Sequence, residues 1–282
     1  MSQAVKRRRR VRPFKVAGHL ALAFWALTNI FPFVWVLMNS FRTRQYILSD
    51  SFSIPTDPTL ENFTTAFDKL NIFHAYANSF IISTSVTVLV CLLGGLAAYA
   101  LTRFSFRGHG TFMFCVYACL MIPVFSTIIP VFRMLLDWGL VNTLPGMILP
   151  QTAGGLAMAI IILMGYMKSI PVELEEAAFL EGCDVAGVFF RVVLPMSKPA
   201  LATVAIFTFL NSYNDLFTQL FILRKKDVWA INRLLSEISS QYGTDYGLLC
   251  ASIVLVVVPV LIVYVFLQKH IIKGMMAGAV KG

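Results

Sequence analysis

Four acidic residues, Glu175, Glu176, Glu181 and Asp184, fall within ten positions at the start of the stretch "EEAAFLEGCDVAGVFFRVVLP", residues 175–195. They stand out because the chain is otherwise poor in charge. Of its 282 residues 58% are hydrophobic and 13% charged, against about 25% charged in ordinary soluble domains. The chain contains no GxxxxGK(S/T) phosphate loop, no GxGxxG, no HExxH and no GxSxG, so nothing points to ATP hydrolysis within it. The chemistry open to this block is recognition. An acidic helical hairpin that also carries Phe189 and Phe190 suits a protein groove lined by basic residues. A helix lying on lipid is the alternative, but a cytoplasmic leaflet is anionic and repels acids.

A second group is Asn211, Tyr213, Asn214 and Asp215. Asp215 is the one acid within a long apolar segment, where a charge costs about 2.5–3.5 kcal/mol at a helix centre. It therefore faces a cavity or a partner chain, or lies near the outer interface. Amides are what a sugar site needs for hydroxyl groups, and Tyr213 and Phe217 can pack on pyranose faces. The same polar residues also suit hydrogen bonds between membrane helices. The five cysteines, Cys91, Cys115, Cys119, Cys183 and Cys250, lack metal-ligand spacing and read as free thiols.

The elements that must position these residues are helices. "SIPVELEEAAFLEG" reads as a short helix, with Pro171 in its first turn and Glu173, Glu175 and Glu176 against the positive end of the helix dipole. Gly182 suits the left-handed residue that ends it, and Asp184 suits the cap of a second helix limited by Pro195. Around this hairpin lie six apolar segments, 16–38, 76–101, 111–135, 146–167, 200–223 and 247–267, each long enough for a bilayer core about 30 Å thick. In lipid they must be helical, with Pro32, Pro123, Pro130, Pro150 and Pro259 as expected kinks. The first segment is longer than a signal-peptide core and is read as an uncleaved span.

Basic residues orient the segments. With the N-terminus inside, the parts 1–15, 102–110, 168–199 and 268–282 hold 15 of the 23 lysines and arginines, and both termini are expected in the cytoplasm. The run "KRRRRVRPFK" then reads as a retention signal beside a membrane span rather than a nucleic-acid arm. The hairpin, 168–199, is also expected inside. Residues 39–75 and 224–246 are expected outside, as solvated connectors or as surfaces for a soluble partner.

At this point the sequence resembles a known family. Glu176-Ala177-Ala178, then Gly182, then Val192-x-Leu194-Pro195 follow the EAA-x3-G-x9-I-x-LP pattern of ATP-binding-cassette importer permeases, with Val192 in place of Ile. "TRFSFRG" at 102–108, "GLVNTLPGMILP" at 139–150, "NSYNDLF" at 211–217 and "KGMMAGAVKG" at 273–282 resemble the carbohydrate-uptake branch, and most of all the G-type permease of maltose-like importers. Tyr213 stands where that branch usually has Trp, and Glu181 where Asp is usual.

The resemblance implies an all-α membrane protein of the type I importer permease fold. It comprises a basic N-terminus (1–15), a six-span domain with its coupling loop (16–267) and a C-terminal tail (268–282). It implies that Glu176, Ala177, Ala178, Gly182, Phe189, Phe190, Leu194 and Pro195 enter a cleft of a cytoplasmic ATPase subunit, and that Gly278, Ala279, Val280 and Lys281 reach between two such subunits. The implied partners are a homologous second permease, two ATPases that bind ATP and Mg, and an extracytoplasmic solute-binding protein. The chain itself would carry no cofactor and be no enzyme. The implied cargo is a sugar moved by alternating access across a bacterial or archaeal cell membrane. Two alternatives remain: glycerol phosphate or another polyol carried by the same machine, and an ion-coupled carrier. Against the first, Arg133 is the one basic residue within the segments. Against the second, only Asp215 hints at intramembrane charge.

Overall fold

The computed structural model describes residues 13–69, 71–241 and 245–279. Every described element is helical. Among the described residues three helices are each long and apolar enough to cross a bilayer: α1 (Pro13–Ser40), α4 (Ile72–Arg103) and α7 (Leu144–Met167). Two further apolar stretches are bent. Helices α5 (His109–Met121) and α6 (Val124–Asp137) meet at 104°. The Val185–Met196 helical segment meets α11 (Lys198–Asn214) at 78°. The last helix, α14, runs over Tyr246–Ala279 and has its apolar part at Tyr246–Ile262.

Two expected helices are therefore interrupted. The 111–135 segment breaks at Ile122 and Pro123. Ile122 has φ −82° and ψ 117°, the extended conformation imposed on a residue before proline, and Pro123 has no N–H to continue the ladder. Pro32, Pro130, Pro150 and Pro259, by contrast, lie inside helices that run past them. The 200–223 segment breaks at Asp215, which ends α11 and caps α12 (Leu216–Ile222).

The residues fall into two compact units. The first comprises 13–69 with 239–255 and contains α1, α2 (Arg44–Ser49) and α3 (Glu61–Lys69). Its 41–57 turn is organised by the buried Arg42, whose guanidinium donates to the carbonyl oxygens of Asp50 (2.6 Å) and Ser53. The Asp50 carboxyl is held below its ordinary pKa, chiefly by the Phe52 N–H that it accepts.

The second unit holds the residues of functional interest. Its centre is the pairing of α4 with α7, on which α11 also packs. The two long helices approach through glycine. A Cβ on Gly94 would lie 3.0 Å from the Ala159 Cβ, and one on Gly155 3.0 Å from a methyl of the fully buried Val90. Small residues at such crossings let backbones come close, the usual device where lipid offers no hydrophobic drive for helix association. At the other end of α4, Asn78 donates to the Trp229 carbonyl oxygen (3.1 Å), and the Ile231 N–H donates to the Ser79 hydroxyl oxygen (2.8 Å). These bonds tie the 226–231 segment to α4 and lead into α13 (Ile231–Gln241).

Candidate coupling hairpin and cavity

The acidic stretch folds as helix, turn, helix, from short-range causes. Helix α8 (Glu173–Leu180) has three glutamates in its first turn. It closes with Gly182 at φ +87°. The Gly182 N–H donates to the Phe179 carbonyl oxygen and the Cys183 N–H to that of Ala178, each at 3.0 Å, the paired bonds of a Schellman cap. The Asp184 carboxylate then accepts the Gly187 N–H at 2.8 Å and starts α9 (Val185–Val188). A π-helical turn follows over Phe189–Val193, closed by the Leu194 N–H on the Phe189 carbonyl oxygen, before the short α10 (Leu194–Met196). Pro195 brings no N–H and its ring crowds the carbonyl four residues back, and the wider turn gives that carbonyl room.

The hairpin has two faces. On the inner one Glu175 is only 3% exposed. Its Oε1 accepts from Arg103 Nε at 2.6 Å and its Oε2 from the Tyr99 hydroxyl at 3.1 Å. The same guanidinium donates to the carbonyl oxygens of Met167 (3.2 Å) and Ile170 (2.8 Å). Phe189 is buried at 1% exposure, its ring centre 5.4 Å from that of Tyr99. On the outer face Glu176, Ala177, Gly182 and Pro195 are exposed, and Ala178 and Leu194 are half-buried. Phe190 is 49% exposed and Leu180 89%. One expectation is corrected here. Phe189 was grouped with Phe190 as an offering to a partner, but it is packed inside this chain against Tyr99, because it lies one helical step from Phe190 on the face turned to α4. Arg103 and Tyr99 escaped notice as site residues. The sequence signal was Arg103 within "TRFSFRG", a cation two positions past the end of the 76–101 apolar run.

The second candidate site is a cavity of about 1010 Å³ bounded by α4, α5, α6, α7, α11 and α12. Most of its lining is aliphatic or aromatic. Its polar edge is formed by Gln151, Asn211, Ser212 and Asp215. Asp215 Oδ1 accepts the Thr218 N–H at 3.0 Å, capping α12, and Oδ2 accepts from Gln151 Nε2 at 2.8 Å. The Ser212 hydroxyl donates to Gln151 Oε1 at 2.6 Å. Of the four residues singled out from the sequence, Asn211 and Asp215 line the cavity. Tyr213 is buried away from it, stacked on Phe209 with ring centres 6.0 Å apart, and Asn214 donates to the Leu210 carbonyl oxygen. Gln151 was missed; its cue was a lone amide in the uncharged segment that became α7. Of the tail residues, Gly278 and Ala279 end α14, while Val280 and Lys281 lie outside the described residues.

Comparison with known proteins shows what kind of chain carries both such a hairpin and such a cavity. Residues 90–277 match the family described as binding-protein-dependent transport system inner membrane component. The chain belongs to this family. The match takes in α4 from Val90 onward, the hairpin and the cavity-lining helices. The diacetylchitobiose uptake system permease protein NgcG of Streptomyces coelicolor is 38% identical over 95% of this chain and 89% of its own length. The arabinooligosaccharides transport system permease protein AraQ of Halalkalibacterium halodurans is 33% identical over 93% of this chain and 95% of its own. In three dimensions the permease resembles a chain from the crystal structure of a bacterial transporter that imports the acidic polysaccharide alginate. The TM-score is 0.79 with 23% identity, covering 94% of this permease and 99% of that chain. The fold is thus the all-helical importer permease fold, and the chain is an inner-membrane transport subunit.

Proposed function

We propose that this permease forms half of the translocation pathway of an ATP-driven importer of neutral oligosaccharides, and that the 168–199 hairpin couples it to separate ATPase subunits. The observation that carries this reading is the outer face of the hairpin: Glu176, Ala177 and Phe190 exposed on a rigid, doubly capped support, within the EAA pattern of the family. A homologous permease would complete the pathway, an extracytoplasmic binding protein would deliver cargo, and ATP with Mg would be held by the ATPases.

The cavity bears on the cargo. Aliphatic walls with an amide edge suit a polyhydroxylated ring, whose faces are apolar and whose rim bears hydroxyl groups. Asn211 and Gln151 supply donors and acceptors on that edge. None of the described lining residues is Lys, Arg or His, while Asp215 is there, so glycerol phosphate fits poorly. An ion-coupled carrier fits poorly as well, because Asp215 already spends both oxygens on Thr218 and Gln151. The named cargoes of the two relatives set the class to try first.

The test is ATPase stimulation of the reconstituted complex by its binding protein, across neutral, amino-substituted, phosphorylated and uronic saccharides. Neutral oligosaccharides should stimulate several-fold and phosphorylated ones not at all; stimulation by phosphorylated polyols alone would reverse the assignment. The orientation gives an independent expectation, from 15 of the 23 basic residues falling on one side. Cysteines at the exposed Leu60 and Lys225 should react with an impermeant reagent outside the cell, and cysteines at the exposed Arg107 and Val185 should not. External labelling at Val185 would put the hairpin out of reach of any cytoplasmic ATPase.

A further inference from the structure

Arg103, the last residue of α4, lies where three elements meet. Its guanidinium takes the Glu175 carboxylate of α8 through Nε and the carbonyl oxygens of Met167 and Ile170, at the end of α7, through one terminal nitrogen. The last carbonyls of a helix lack the usual partner four residues on; that of Met167 also accepts the Ile170 N–H at 3.1 Å. Tyr99 stands one helical turn before Arg103 on the same face of α4 and holds the other Glu175 oxygen. Its ring also carries Phe189, from the second half of the hairpin. Both arms of the hairpin are thus bound to one turn of α4.

Chain connectivity makes this arrangement informative. The hairpin is joined covalently to α7 through residues 168–172 and to α11 through the 78° bend. Nothing covalent joins it to α4, and 72 residues separate Arg103 from Glu175. If the hairpin is pushed, α7 and α11 are reached through the backbone, whereas α4 is reached only through side chains. We propose that Arg103, Glu175 and Tyr99 form a transmission lock that makes the hairpin and the inner end of α4 one rigid body, so that motion applied to the hairpin moves α4 as well. Glu175 and Arg103 are positioning residues: they act through the hairpin and touch neither cargo nor nucleotide. Adjacent glutamates thereby divide the work, Glu176 facing outward and Glu175 inward. The proposal rests on the coupling role of the hairpin.

A fork of directional bonds suits such a lock. The planar guanidinium holds its acceptors in fixed directions, which a point-charge lysine would not. A purely stabilising pair behaves differently. Well-packed apolar residues can replace a buried ion pair with little loss of stability, whereas removing one partner leaves an uncompensated charge.

Two measurements on the complete reconstituted complex separate the lock from a stabilising pair. The first uses spin labels at the exposed Leu96 of α4 and Leu180 of the hairpin, with distances compared between nucleotide-free and ATP-trapped states. In the native complex that distance should hold within about 1 Å, and in Arg103→Met it should shift or broaden by several Å, as expected when a shared rigid body becomes two. An equal change in the native complex overturns the proposal. The second compares Glu175→Gln, Tyr99→Phe and the double variant Arg103→Met/Glu175→Leu, using diacetylchitobiose and arabino-oligosaccharides as probes. Glu175→Gln should lower transport per ATP about tenfold and Tyr99→Phe a few-fold, with ATPase co-purification unchanged, a loss equivalent to roughly one decade in a coupling constant. The double variant should regain native thermal stability yet stay uncoupled. If it regains transport per ATP as well, the pair only stabilises the fold. A native complex that binds no ATPase would instead bring down the coupling role itself, and the lock with it.

Discussion

Replacing Glu176 with lysine is expected to leave the permease in the membrane and detach its ATPase. Glu176 is exposed on the first turn of α8, one residue from the buried Glu175, and it is Glu175 whose side chain holds the hairpin to α4. Truncating one member of a buried interfacial charge pair costs about 2–5 kcal/mol, and reversing its sign adds repulsion. At about 1.4 kcal/mol per decade, ATPase affinity should fall at least about 30-fold, and uptake with it. Gly182→Val should reach a similar end by another route. At φ +87° a β-branched residue is strained by roughly 1–3 kcal/mol, although nothing within 4 Å would touch its Cβ, so the cost is in the backbone and not in packing. The Schellman turn should open and tilt α8 away from α9. The measurement is co-purification of the ATPase with the permease pair, beside uptake in vesicles. Full ATPase binding and normal uptake in both variants would reduce the hairpin to a solvated loop.

Gly155→Leu is expected to cost the fold itself. Even its Cβ would lie 3.0 Å from a Val90 methyl, and Val90 is fully buried with nowhere to retreat. Overpacking of this kind costs about 1–3 kcal/mol and occasionally more, and here it forces apart the two helices on which α11 also packs. Gly154→Leu is the internal control. It sits one position away, lines the cavity, and has nothing within 4 Å of its Cβ position. Thermal unfolding in detergent should show a large loss for Gly155→Leu and little for Gly154→Leu. Equal losses would mean that glycine matters here for reasons other than the close approach of α4 to α7.

Much of the hairpin was legible before any coordinates, because its causes are local. Gly182 with its left-handed turn, Asp184 with its cap on Gly187 and the acid-rich start of α8 each depend on residues within about four positions. Helical class was equally legible, from apolar runs too long for a soluble core and from the rule that backbone groups in lipid must bond within their own segment. Pattern alone could not tell a kinked helix from a broken one. Four of the five prolines lie inside helices, and only Pro123, which follows the extended Ile122, coincides with a break.

What the sequence by itself determined was that an acidic, glycine-broken helical hairpin must interrupt a set of apolar helices, and which residues would turn and cap it. What only the tertiary structure decided was which way each side chain faces. Glu175 and Glu176 have the same chemistry and differ by a 100° step around one helix; Arg103, from 72 residues earlier, takes the first and leaves the second exposed. Phe189 and Phe190 are divided in the same way, by one step around the helix, with Tyr99 packed against the first. Asp215 could be seen as costly in a membrane, but its partner Gln151 could not, since that bond joins α7 to the break between α11 and α12. Caps and turns are settled by dihedral preferences over a few residues, whereas the choice between equivalent neighbours is settled by whatever distant element packs against them.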